Sequence, residues 1–185
     1  MTGGDTMAKA RPDAQFTHLG VFVRDMAAMT DFYTRIVGLL VTDTGEQRGR
    51  QLTFLSRNPD EHHQIVLASG RGDDTTPVIN QISFRVGTLA DLKTFYAALV
   101  EEGVAPLDPV DHGAAWSVYF ADPEGNRIEL YTDTPWYVHQ PMREPVDLTA
   151  PEDEIRAATL ARIKDHDTFR PLSDWSDELR SRLES

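Results

Sequence analysis

Apolar and polar residues alternate between Thr17 and Val23, which is typical of a strand with one buried face. The next apolar residues recur at helical spacing, so a helix is predicted there, ending at Gly38. These positions are Met29, Phe32, Tyr33, Ile36 and Val37. Short strands are then predicted around 51–55 and 63–68. This region therefore has the pattern of a strand, a helix and two or three further strands.

The same plan returns 63 residues later in the chain. A strand is predicted over 79–86, a helix over 89–102 and strands around 116–120 and 126–131, with the turn sequence ADPEGN between the last two. At this offset His18 pairs with Gln81, Phe32 with Phe95, Tyr33 with Tyr96, Ile65 with Ile128 and Leu67 with Leu130. Such agreement indicates a duplicated unit.

The predicted fold class is α+β, with two tandem βαβββ units that form one cup-shaped mixed sheet. The units span about 16–69 and 78–132 of a domain at 16–132. Residues 1–15 are expected to form a flexible tail, and residues 133–185 an extended arm with helices. In the arm, a capping-box pattern at Thr149 predicts a helix to about Lys164.

The composition of the chain excludes several classes of function. The 185 residues include 40% hydrophobic ones, enough for a packed core, and carry a formal net charge of −12. So acidic a chain is not expected to bind nucleic acid or an anionic membrane. The absence of cysteine excludes thiolate zinc sites and cysteine nucleophiles. With no secretory signal and no apolar run of membrane-spanning length, we expect a cytoplasmic protein that acts on a small molecule.

Matched positions of the two units carry candidate metal ligands. His18 and Gln81 lie on the polar side of the first strand of each unit, and Glu129 lies on the last strand between two apolar residues. A carboxylate in that setting is costly to bury unless it binds something. Its counterpart in the first unit is Val66, which cannot be a ligand. Nitrogen and oxygen donors with open positions suit a catalytic divalent metal.

Further residues are candidates for acid–base chemistry. His62 and His63 are adjacent, so on a strand only one of them can face the cup. His112 lies in a glycine-containing loop, and Tyr119 lies in the strand that follows it. In the arm, two roles are considered for Trp136 and Tyr137, lining a pocket mouth and anchoring the arm to the body, and the anchoring role is preferred.

These residues and motifs resemble the vicinal oxygen chelate superfamily, which includes glyoxalase I, antibiotic-resistance proteins and type I extradiol dioxygenases. The similarity covers about residues 16–132, through THLGVFV, DFYTRIVGL, EHHQIVL, INQISFRV and YFADPEGNRIELY. The resemblance implies a cup of two βαβββ units around a divalent metal.

In its details the chain looks most like the single-domain extradiol enzymes, since Val66 occupies the position where glyoxalases place another ligand. The resemblance implies His18, Gln81 and Glu129 as ligands of Fe(II), or alternatively of Mn(II) or another divalent metal. It also implies catalytic roles for three residues, which are His63, Tyr119 and His112. The chain departs from the family at Gln81, where those enzymes carry a second histidine, and this weakens the metal site.

The resemblance thus implies a non-haem Fe(II) dioxygenase that inserts O2 into a catechol-like ring of a small aromatic substrate, in a protein expected to form a homo-oligomer. One alternative keeps the metal and changes the reaction to an isomerase or lyase of the glyoxalase or epimerase type. Another is a non-catalytic protein that binds a small molecule such as an antibiotic, and Gln81 is the argument for it.

Overall fold

The two units appear in order in the computed structural model, which describes residues 15–73 and 78–184. The first unit consists of β1 (Leu19–Val23), α1 (Met26–Asp31) with a π-helical continuation (Phe32–Ile36), β2 (Leu40–Gln47), β3 (Arg50–Ser56) and β4 (Ile65–Ser69). The second consists of β5 (Ile82–Arg85), α2 (Leu89–Glu101), β6 (Asp108–Asp111), β7 (Ala115–Ala121) and β8 (Arg127–Asp133). The tail predicted for 1–15 lies, except for its last residue, outside the described residues.

The strands of each unit form a mixed sheet. The first sheet has the order β1-β4-β3-β2, and the second has the order β6-β7-β8-β5, extended at β6 by a short strand, β10 (Glu144–Pro145). In both units the first and last strands pair in parallel and the remaining ladders are antiparallel. The predicted α+β class and its tandem βαβββ units are confirmed. Within the described residues the cup is built from two sheets, with no ladder between β1 and β5.

Both helices begin with a side-chain cap. Asp25 accepts a hydrogen bond from the backbone N–H of Ala28 at 2.9 Å, and Thr88 accepts one from the N–H of Asp91 at 3.1 Å. Such caps satisfy N–H groups that a helix leaves unpaired. Buried side chains of both helices join those of the sheets in one hydrophobic core. The opposite face of each sheet is thereby left for the cup.

The ADPEGN turn joins the two units. Asp122 accepts hydrogen bonds from within the turn and from the hydroxyl of Tyr33 in the first unit. The Glu124 carboxylate, 6% exposed, accepts hydrogen bonds from the backbone N–H groups of Arg24 and Asp25 and forms an ion pair with Arg71 at 3.1 Å. This turn therefore holds the second sheet against the start of α1.

The C-terminal arm packs on the second unit. It contains β9 (Trp136–Tyr137), β10, α3 (Glu152–Ile163), β11 (Arg170–Pro171) and α4 (Leu172–Glu184). Helix α3 is attached through Thr159, which receives a hydrogen bond from the indole of Trp116 at 2.8 Å, and through an ion pair of Arg162 with the buried Asp111. None of the described helices is long and apolar enough to cross a bilayer.

The predicted capping box at Thr149 is wrong. Helix α3 begins after Pro151, which supplies no side-chain cap, and the Thr149 hydroxyl donates to the Asp147 carboxylate at 2.6 Å instead. Asp147 accepts hydrogen bonds from both the hydroxyl and the backbone N–H of Thr149. These two bonds form a turn ahead of the helix.

Candidate functional site

The inner face of the second sheet carries the predicted carboxylate. On β8, Ile128 and Leu130 belong to the core, so the alternation of the strand directs Glu129 to the cup. Tyr119 lies directly across from Glu129 in the β7–β8 ladder, and Ser83 lies beside it on β5. Strand register therefore gathers these polar side chains in one place.

Glu129 is 7% exposed and is held by a set of hydrogen bonds. One carboxylate oxygen accepts from the Gln81 amide nitrogen at 2.7 Å and from the Ser83 hydroxyl at 2.5 Å, and the other accepts from the Ser117 hydroxyl at 2.7 Å. No ion pair joins Glu129 to a cationic side chain in the described part of the chain. This buried carboxylate is thus oriented by neutral donors alone.

Tyr119 and His112 form a second polar pair on the same face. The His112 ring contacts the Met142 carbonyl through Nδ1 at 2.6 Å and the Tyr119 hydroxyl through Nε2 at 3.0 Å. Because a carbonyl can only accept, Nδ1 carries the proton, and in the neutral ring Nε2 then accepts from the tyrosine. Burial, followed by the nearby Glu129 carboxylate, raises the pKa of Tyr119 to about 12. The phenol therefore remains a hydrogen-bond donor at neutral pH.

A separate group of imidazoles lies on the first sheet. The rings of His18 and His63 pack edge to face with centroids 4.4 Å apart. The ring nitrogens of His62 and His63 approach to 2.9 Å, and both of these rings contact Phe54. Desolvation lowers the pKa of His63, and the other two imidazoles lower it further. The prediction that His62 and His63 face opposite sides is wrong, because both precede β4 and lack strand geometry.

The structure thus brings the predicted site residues together in two groups. Gln81, Glu129, Tyr119 and His112 are linked on the second sheet, whereas His18 is exposed and packs against the histidines of the first sheet. Among the described residues no group of three or more His, Asp or Glu side chains could hold a metal ion. The three-residue ligand set of His18, Gln81 and Glu129 stays a prediction.

The donors on the second sheet nonetheless suit a divalent cation. A carboxylate buried to this degree is normally paired with a charge or bound to a metal. Glu129 has no cationic partner of its own in the described chain, and the Gln81 amide lies within hydrogen-bond distance of it. Carboxylate and amide oxygens are common ligands of hard divalent metals, and an imidazole adds affinity for iron or manganese. The residues therefore fit a metal through Glu129 first and Gln81 second.

Beside these residues is a cavity of about 470 Å³, within the range of small-molecule sites. Its wall includes His112, Tyr119 and Glu129 on one side and residues of the arm on the other. The arm contributes Tyr137 and Trp175, whose rings are stacked with centroids 5.4 Å apart and an angle of 12°. The position of Tyr137 fits both roles considered for it, because it lines the cavity and also packs within the arm through β9–β11 pairing and the Trp175 ring.

Sequence reasoning missed three residues of this site. Ser83 and Ser117 were detectable, since they stand two positions from Gln81 and Tyr119 and so share the same strand face. Trp175 was not detectable, because nothing in its local sequence indicates that α4 packs back onto the second unit.

Comparisons with known proteins agree with this architecture. The sequence model of the glyoxalase/bleomycin resistance protein/dioxygenase superfamily matches residues 15–130. The biphenyl-2,3-diol 1,2-dioxygenase 3 of Rhodococcus globerulus is 30% identical over 125 residues, which cover 64% of this chain and 63% of that protein. The chain therefore aligns with less than two thirds of the length of that relative.

Solved structures with this fold include proteins of different activities. A glyoxylase/bleomycin resistance protein/dioxygenase domain from Frankia sp. EAN1pec has a TM-score of 0.57 and 23% identity, covering 66% of this chain and all of that one. The fosfomycin resistance protein FosX from Listeria monocytogenes, crystallised with Mn(II), has a TM-score of 0.53 and 17% identity over 66% of this chain and 95% of that one. The chain belongs to the glyoxalase/bleomycin resistance protein/dioxygenase superfamily.

Proposed function

We propose that this protein is a metal-dependent extradiol dioxygenase that inserts O2 into a catechol-like aromatic ring. The observation that carries the proposal is the nearly buried Glu129 carboxylate, which has no cationic partner in the described chain and lies on the wall of a cavity that is rich in aromatic side chains. The similarity to a dioxygenase of an aromatic diol supports the same reaction class.

In this proposal Glu129 and Gln81 hold the metal, which is Fe(II) or alternatively Mn(II), and His18 completes the set. The bound metal supplies Lewis acidity and a template that orients the aromatic diol and O2. Ser83 and Ser117 keep the carboxylate in a fixed orientation through their hydroxyl groups. Gln81 would turn its amide oxygen toward the metal and give up its present hydrogen bond to Glu129.

The remaining residues handle protons and substrate oxygens. The protonated hydroxyl of Tyr119 can donate to a negatively charged oxygen of the substrate, and His112 fixes the direction of that hydroxyl. His63, whose pKa is lowered by desolvation and then by the neighbouring imidazoles, is suited to accept a proton from the diol. Its ring contacts that of His18, so a metal held in part by His18 would place the diol beside His63.

One observation favours a second candidate, a small-molecule binding protein without catalysis. The Glu129 carboxylate is already satisfied by three neutral donors, so the site can persist without a metal. In that case the cavity would bind an aromatic ligand and Gln81 would be a structural residue.

The deciding experiment is anaerobic loading with Fe(II), followed by a panel of catechols and hydroquinones with oxygen uptake recorded. The dioxygenase predicts one O2 consumed per diol and a coloured ring-opened product. Tight binding of a diol without oxygen uptake, in protein that takes up no metal, would favour the binding protein. Conversion of a chelating substrate without oxygen uptake would indicate an isomerase or lyase.

A further inference from the structure

The C-terminal arm reaches the candidate site at His112. The arm lies beyond the segment that matches the superfamily, yet its Met142 carbonyl contacts His112 Nδ1 at 2.6 Å. This contact assigns the proton of the neutral ring to Nδ1 and leaves Nε2 to accept from the Tyr119 hydroxyl. The group that holds the Met142 carbonyl in place therefore also determines which ring nitrogen carries the proton.

The side chain of Gln140 bridges the two residues that form this hydrogen bond. Its amide nitrogen donates to the backbone carbonyl of His112 at 2.8 Å, and its amide oxygen accepts from the backbone N–H of Met142 at 3.0 Å. The same nitrogen lies 3.2 Å from the Val138 carbonyl. One side chain thus links the backbone at both ends of the contact between the Met142 carbonyl and the His112 ring.

The orientation of the Gln140 amide follows from its partners. The groups next to its nitrogen are the carbonyls of His112 and Val138, which can only accept, and the group next to its oxygen is an N–H, which can only donate. A reversed amide would lose all three contacts. A carboxylate would keep the contact with the N–H and lose the two with the carbonyls, so glutamate is a discriminating substitution at this position.

The loop that carries His112 is shaped to receive the arm and is also held independently of Gln140. Gly113 has a φ of +72°, and a Cβ placed there would come within 2.8 Å of the Met142 sulfur, so glycine is required for this close approach. The Gly113 N–H donates to the buried Asp111 carboxylate at 2.7 Å. Loss of the Gln140 amide should therefore act on the contact between His112 and Met142 without unfolding the loop.

We infer that Gln140 is a positioning residue, whose amide fixes the Met142 carbonyl against His112 and so holds that ring in its Nδ1–H form. In this form Nε2 directs the Tyr119 hydroxyl. The inference rests on the proposed function, in which Tyr119 donates to a substrate oxygen. Because the Gln140 side chain is exposed, it can be replaced without opening a cavity in the core.

The first measurement is the tautomer of His112, observed by ¹⁵N NMR of the ring nitrogens in full-length protein labelled with ¹⁵N-histidine and purified with a chelator. At about pH 8, where free histidine is neutral, the unsubstituted protein should show a protonated Nδ1 and an unprotonated Nε2 for His112. In Gln140→Ala and Gln140→Glu the proton should be shared between the two nitrogens. The His112 signals are assigned by their disappearance in His112→Ala.

His139→Ala is the matched control, since His139 is an exposed neighbour of Gln140 that does not line the cavity. It should keep the Nδ1–H form of His112, and melting curves should show that every variant is folded. An unchanged Nδ1–H form in both Gln140 variants would overturn the role of Gln140.

The second measurement is steady-state oxygen uptake by the Fe(II)-loaded protein with catechol. Gln140→Ala should lower kcat/KM by about five- to tenfold, no more than removal of the Tyr119 hydroxyl. In a Tyr119→Phe background the same substitution should have almost no further effect, because the hydroxyl through which Gln140 acts is absent.

An undiminished loss in the Tyr119→Phe background would show that Gln140 acts on the substrate directly and would overturn the positioning role. If the unsubstituted protein consumes no O2, the proposed dioxygenase fails. The NMR spectra then still decide whether Gln140 sets the tautomer of His112, so the two failures are distinguishable.

Discussion

The two units have the same order of strands and helix, but the inner faces of their sheets differ in their polar side chains and in whether the arm packs beside them. On the first sheet the inner face is open, with β2 exposed along its whole length and Phe22 54% exposed, and its polar groups are imidazoles. On the second sheet the arm contributes part of the cavity wall, and Tyr119 and Glu129 are 6% and 7% exposed. Duplication supplied two equivalent surfaces, and the arm adds a further wall to the second one.

Matched positions show how far the two faces have diverged. The 63-residue offset pairs Val66 with Glu129, Gly20 with Ser83 and Phe54 with Ser117. The carboxylate and both hydroxyls that orient it thus have no polar counterpart in the first unit. At the same offset His63 pairs with Asn126, so the second unit carries no imidazole at that position. In the proposed function, the second sheet therefore supplies the metal-binding carboxylate, and the first supplies His63 as the acceptor of the diol proton.

The strongest test of these different roles of the two sheets is removal of the Glu129 carboxylate. Glu129→Ala should abolish metal uptake and with it all oxygen consumption, because the remaining donors carry no negative charge. Metal content after Fe(II) loading, measured by mass spectrometry, is the direct readout. Asp133→Ala is the matched control, a carboxylate on the same face of β8 that pairs with Arg85, and it should keep the metal. Normal metal content in the Glu129 variant would refute its role as a ligand.

The next effect concerns the histidine group of the first sheet. His63→Ala should lower turnover by about 10²–10⁴ while the metal stays bound, as expected for loss of a general acid–base. His62→Ala, which removes the adjacent imidazole, should cost less than about tenfold. Steady-state oxygen uptake separates these results. Equal rates in the two variants would mean that the first sheet takes no part in proton transfer.

The contacts of Glu124 between the two units are expected to contribute to the free energy of unfolding. Glu124→Ala should lower the free energy of unfolding by about 3 kcal/mol, since it leaves Arg71 and two backbone N–H groups without their buried acceptor. Urea denaturation measures the change. Glu144→Ala, at an exposed position of β10, should stay within about 0.5 kcal/mol. A similarly small loss in the Glu124 variant would show that the turn does not hold the units together.

The smallest expected effect lies inside the second sheet. Tyr119→Phe should reduce kcat/KM about tenfold, corresponding to one hydrogen bond to a charged oxygen. If His112 acts by directing the Tyr119 hydroxyl, the same change in a His112→Ala background should have almost no further effect. Fully additive losses in the double variant would assign the two residues separate roles.

Periodicity and the repeat predicted much of the fold. The strands around Tyr119 and Glu129, the helix ending before Gly103 and the pairing of the units all follow from short-range patterns and one internal offset. Strand β2 was not predicted as a separate element, because every one of its residues is exposed and no buried face leaves an alternating pattern. The start of α3 was misplaced because Thr149 bonds to its neighbour Asp147.

The candidate site could be predicted only in part. Glu129 and Tyr119 lie opposite each other in the β7–β8 ladder, so alternation and register bring them together, and Gln81 directly precedes β5 beside them. The positions of the imidazoles depend on a turn, where alternation does not apply, and their orientation was wrong for that reason. The contribution of Trp175 to the cavity wall depends on the long-range packing of α4, which the local sequence does not indicate.

In the proposed function, Glu129 anchors a metal at which an aromatic diol meets O2. The most direct measurement is a single turnover of Fe(II)-loaded protein with a phenyl-substituted catechol under ¹⁸O2, followed by mass spectrometry of the quenched product. The unsubstituted protein should give a ring-opened product that carries two labelled oxygen atoms, and the Glu129→Ala variant should give none. Consumption of the diol without incorporation of label, or an equal yield from that variant, would contradict the proposed function.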